Sequence, residues 1–156
     1  MQFPEPIEIA LRPLFHRLPT DEAMESLVVT TPPAVDLVHL VEAAVKTPAI
    51  ATQPAVLAGL WLYIDDLDRS HAISQTLHDA TGAFWHGIMH RREGDFSNSH
   101  YWFHKADGHP VLTAIEDYDP HMLIDEVEAA GNFVSPRLSA TQRREWSSLF
   151  RWCARQ

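Results

Sequence analysis

Thiols are almost missing from this chain: Cys153 stands alone among 156 residues. That excludes an internal disulfide framework and a cysteine-rich zinc knuckle, and it fits a reducing compartment, so a cytoplasmic location is expected. Basic charge is scarce as well. Twelve Lys and Arg face 21 Asp and Glu, a formal net charge of −9, and the basic residues cluster only briefly, as Arg91-Arg92 and Arg143-Arg144. Such a surface repels phosphate backbones, which argues against nucleic acid as a partner. Apolar runs are short. The longest, residues 49–64, is interrupted by Thr52, Gln53 and Pro54 and followed by Asp65 and Asp66, too short and too broken to span a bilayer. Residues 1–9 carry Pro4, Glu5, Pro6 and Glu8 where a secretion signal has a basic start and an apolar run. A Gly-x-Ser-x-Gly elbow, a phosphate loop and a dinucleotide fingerprint are all absent, and Cys153 lies on an apolar stripe, so serine, cysteine and nucleotide chemistry are set aside.

No alternating strand pattern persists beyond a few residues, and no long repeat occurs twice. The expected fold is therefore all-α: one domain over residues 1–156 with about seven helices. Its first fifty residues are dense in proline, which predicts short helices separated by turns. One is expected from Thr20, as cap, to about Val28, and another from near Pro33 to Pro48. A long helix is read over residues 54–77, with a stripe of Leu57, Leu60, Ile64, Leu67, His71, Ser74 and His78 that begins apolar and ends in imidazole. Thr81-Gly82 opens a helix to about Glu93, Gly94-Asp95 makes a turn, and Ser97 caps a helix to Ala106. Together these form a helical hairpin over residues 81–106, with Trp102 and Phe103 expected in the core beside Phe84 or Trp85. The C-terminal part, residues 119–155, reads as a helix from Asp119-Pro120 to Gly131 and a last one from Ser139, burying Trp146, Leu149, Phe150 and Cys153.

Histidine is what the chain has in excess. Ten are present, eight of them between His71 and His121. His86 and His90 stand four apart with Glu93 three further on, so one helix face offers two imidazoles and a carboxylate, the donor set of zinc and non-haem iron sites. The helical moment alone turns this face to water, away from Phe84, Trp85, Ile88 and Met89. Ala83 and Gly87 lie on it too, however, and allow a neighbouring helix to approach, which favours burial. If the long helix packs there, His71 or His78 joins the pair, with Asp68 or Glu93 as ligand or general base. His100 and His104 fall opposite the apolar side of their own helix and read as surface, and His109 and His121 are not favoured as ligands. At the hairpin turn Arg91, Arg92, Asp95 and Asn98 offer a second chemistry, an arginine clamp on an anionic group. The ordinary alternative there is a helix cap plus an internal ion pair.

Gly87, Ser99, Phe103 and Ala106, with the turn Gly94-Asp95-Phe96, also resemble one tetratricopeptide-type hairpin. That resemblance implies the geometry of a single hairpin and places His86 and His90 in slots that pack between helices. The wider string over residues 85–98 resembles a set of uncharacterised bacterial and fungal proteins and implies no activity. Three functional classes follow from the residues. One is a small helical binding module whose polar pocket takes a small molecule or peptide; the second is a metal-dependent enzyme, using zinc or iron, with histidines from two packed helices; the third is a structural or regulatory protein whose histidines pair internally.

Overall fold

The computed structural model describes residues 3–156, and among them every regular element is a helix. The ten are α1 Glu5–Arg17, α2 Val35–Ala44, α3 Pro48–Ala51, α4 Pro54–Tyr63, α5 Leu67–Ser74, α6 Ala80–Glu93, α7 Phe96–Lys105, α8 Pro110–Ala114, α9 Pro120–Ala130 and α10 Pro136–Cys153. None is long and apolar enough to cross a membrane. They enclose one main core, in which Leu60 and Leu62 of α4, Phe84, Trp85 and Ile88 of α6, and Trp146, Leu149 and Phe150 of α10 are buried together. The centre is tight at Gly59. A Cβ there would lie 2.8 Å from both Phe150 and Trp85, and its carbonyl accepts a 2.8 Å hydrogen bond from Trp146 Nε1.

α6 is the axis of the domain, buried on all sides from Thr81 to Arg92 although Thr81, His86, His90, Arg91 and Arg92 are polar or charged. Its N-cap is Asp79, whose carboxylate accepts from the Gly82 amide at 2.8 Å, rather than Thr81. Gly94, left-handed at φ 86°, ends it in the way helices commonly stop. Asp95 caps α7 by accepting from the Asn98 amide, two residues earlier than Ser97. Between these helices, Gly87 lets the Phe103 ring approach: a Cβ would fall 2.7 Å from it. The Gly87 carbonyl also accepts a 2.6 Å bond from Ser99 Oγ. Gly87→Ala should therefore overpack the hairpin and cost about 1 to 3 kcal/mol in urea denaturation; an unchanged midpoint would mean that Phe103 relaxes freely.

Several elements differ from the sequence reading. The long helix is two. It breaks at residues 64–66, where Asp65 adopts φ 67°, Asp66 caps α5 through the Arg69 amide, and Arg92 takes over the Leu62 carbonyl at 3.0 Å. The expected helix over residues 20–28 does not form. Side chains of α10 take its carbonyls instead: Ser139 bonds Glu25, Gln142 bonds Met24 and Ser26, and Arg143 bonds Ala23. In the proline-rich part α1 runs 13 residues straight through Pro13. The rung that Pro13 deletes would have ended on Ile9, which is exposed, so the loss falls where water can replace it. α10 starts at Pro136 with Ser135 as its cap, ahead of Ser139, whose hydroxyl is already engaged. α3 and α8 are short helices beyond the seven expected.

Candidate metal centre

α5 and α6 meet through a short turn that Gly82 makes possible: a Cβ at this position would sit 2.2 Å from the Leu77 carbonyl oxygen. The turn lays His71 of α5 against the two imidazoles of α6. Ring centroids are 4.7 Å apart for His71 and His86, 5.4 Å for His71 and His90, and 4.8 Å for His86 and His90. One donor atom from each lies within 4.8 Å of the others. Tetrahedral zinc with bonds near 2.0–2.1 Å sets its donors about 3.3 Å apart, a gap that ring rotations close. His86 and His90 are buried and His71 is half-buried.

Each imidazole has a different surrounding. His90 Nδ1 contacts Glu93 Oε1 at 2.6 Å; a carboxylate holds the N–H tautomer at that nitrogen and leaves Nε2 as the acceptor. Asn98 Nδ2 reaches that Nε2 at 3.2 Å. His86 stacks flat under Trp102, 3.9 Å between centroids at 9°, and its buried Nδ1 has no hydrogen-bond partner. Burial, then the neighbouring His90 and His71, pushes His86 down to about 4. It is therefore neutral at physiological pH, with a lone pair to offer.

The remaining candidates are placed elsewhere. His78 is exposed and lines a groove of about 650 Å³ with Gln75, Asp79, Tyr101, Trp102 and Lys105. Because Trp102 covers His86, this groove adjoins the imidazole cluster. Asp68 is exposed one turn before His71 and stands outside the cluster. Asp95 is a helix cap, and with His90 and Glu93 it forms a second group of close donors. Arg91 and Arg92 turn inward and are fully buried. Arg91 is held by Glu145 and Gln142, Arg92 by Asp65 and the carbonyls of Leu62 and Ser26, so the Nη groups of both are spent on internal acceptors, while each buried Nε has no partner. Phe103 is buried edge-on against Phe84, whereas Trp102 is half-buried over His86.

No protein-family model, curated protein or solved structure matches the chain.

Two further groups are not legible from the sequence alone. Glu145 is buried opposite Arg91, and its only signal was its place on the inner stripe of α10 one residue before Trp146. His121, set aside as a first-turn residue, contacts His100 at 2.7 Å.

Proposed function

We propose that this is a metal-dependent helical protein whose centre is a divalent ion, zinc before iron, held by His71, His86 and His90. The observation that carries the proposal is the convergence of three imidazoles from α5 and α6 with a carboxylate on one of them at 2.6 Å. Three protein donors leave zinc a fourth position for water or substrate, the arrangement of catalytic sites rather than closed structural ones. An ion there would lower the pKa of a bound water toward neutrality and polarise a carbonyl or phosphoryl oxygen. Glu93 fits the orienting role, since its carboxylate is already committed to His90. The adjoining groove, with Lys105, His78 and Asp79 on its walls, supplies room for a polar small molecule. This absorbs the binding-module reading, with the pocket moved from the arginines to the α5–α7 side.

Metal analysis and zinc titration of untagged protein test this. A tight equivalent is expected that His71→Ala abolishes and that Glu93→Gln weakens by about 10- to 100-fold. Zinc at a hundred times its dissociation constant should stabilise the wild type by about 2.7 kcal/mol. Equal zinc affinity in the wild type and His71→Ala would remove the proposal.

A further inference from the structure

A second set of imidazoles lies on the far side of α7, away from the centre just described. α7 carries His100 and His104 and α9 carries His121 and Asp125, each pair four residues apart, so each presents two donors on one helix face. The two helices pack side by side and bring the pairs together. His100 Nδ1 and His121 Nδ1 are 2.7 Å apart, His100 Nε2 and Asp125 Oδ1 2.9 Å, and the His104 and His121 rings are 4.4 Å between centroids.

We infer that this is a second, surface-accessible binding site for a divalent first-row transition ion of the zinc class. His100 and His121 supply the facing donors; His104, whose ring nitrogens do not lie within 4.8 Å of both, joins them by rotation of its exposed side chain, and Asp125 is the carboxylate that orients His100. The proton arrangement suits it. Asp125 holds the N–H of His100 at Nε2, so His100 Nδ1 is bare and the contact to His121 is made by an N–H on His121 Nδ1. Moving that one proton to His121 Nε2 leaves two bare Nδ1 atoms facing each other, with no net proton released. Two nitrogens at 2.7 Å can share a proton; a zinc ion needs them near 3.3 Å, and side chains that are half-buried or exposed can part by that margin. The donors are imidazole and carboxylate with no thiolate, a set that suits zinc, nickel and copper(II) rather than copper(I) or an iron–sulfur cluster. Asp125 on His100 repeats the device seen in Glu93 on His90, a carboxylate fixing the tautomer of a ligand from behind.

The test is calorimetric titration with zinc chloride in the His71→Ala background, which removes the first site and keeps this one. One equivalent should remain. His121→Asn should abolish it, and Asp125→Asn should weaken it by about 10- to 100-fold, with circular dichroism unchanged. Zinc binding in His71→Ala that survives His121→Asn at full strength would reduce the site to the adventitious affinity of one helical histidine pair and overturn the inference, as would a titration that shows no binding. The first centre fails separately: zinc affinity indifferent to His71→Ala but lost with His121→Asn refutes that centre and leaves this site standing.

Discussion

Glu145→Ala should destabilise the protein by about 3 to 5 kcal/mol, because it leaves the Arg91 guanidinium buried without its counter-ion. Both side chains are fully inaccessible to water, and the pair is two-pronged: Arg91 Nη1 donates to Glu145 Oε1 at 2.9 Å and Nη2 to Oε2 at 2.6 Å. Tyr118 OH donates to the same carboxylate from α8–α9 linker residues, and burial followed by the Glu145 charge pushes its phenol well above the ordinary range. Burial by itself would lower Arg91, but the opposing Glu145 charge and hydrogen bond outweigh it and the net shift is upward. Arg92 shows the contrast. Its partner Asp65 is about one-third exposed, burial dominates, and its pKa goes down. For a chain of this length the loss in Glu145→Ala corresponds to a fall in Tm on the order of 10 °C. Replacing both partners at once, Arg91→Met with Glu145→Leu, should recover most of it, since apolar groups of similar volume avoid the desolvation cost. A single-variant loss under about 1 kcal/mol would mean that water reaches the pair.

Mild acid should weaken the fold through His86. In the native state this ring titrates at about 4, whereas in the unfolded chain it returns to the ordinary value of about 6.5. Above pH 6.5 neither state binds the proton and the term vanishes. Below it the unfolded chain takes up a proton that the native state refuses, so stability falls as pH drops from about 6.5 toward 4. The accumulated loss there is about 3 kcal/mol. His86→Phe keeps a flat ring under Trp102 and removes the titration. Urea midpoints at pH 7.5 and 4.5 should therefore diverge by less in the variant than in the wild type. Identical pH dependence in the two proteins would show that the ring protonates in place. Any ion bound at the cluster would be displaced over the same interval, as proton and metal compete for the same lone pairs.

The all-helical class and the hairpin were legible because their signals are local: helical spacing, Asp119-Pro120, Gly94 and Gly131 at the stops. The approach of His71 to His86 and His90 was legible too, since a short turn makes neighbours of the helices on either side and Ala83 and Gly87 thin the interface. Long-range competition was not. Nothing within residues 20–28 reveals that Ser139, Gln142 and Arg143 will claim their carbonyls, and local propensity there favours a helix. The break at Asp65 depends on Arg92, 27 residues away, so the stripe through Ile64 reads as continuous from sequence alone. Arg91 and Arg92 misled for the same reason, because a guanidinium reads as a surface ligand until a buried acid from another helix is placed against it.

The ties between residues 22–26 and α10 also set an order of assembly. Each joins positions more than a hundred residues apart, and closing so long a loop must follow the cheaper local contacts. On the ribosome α4 to α7 can dock while α10 is still inside the exit tunnel. Residues 22–26 then wait for partners that are synthesised more than a hundred residues later. A chain stalled before α10 would lack Trp146, Leu149 and Phe150 from its core and the counter-ion of Arg91, and its residues 22–26, with their partners missing, form the segment a protease or a chaperone would meet first.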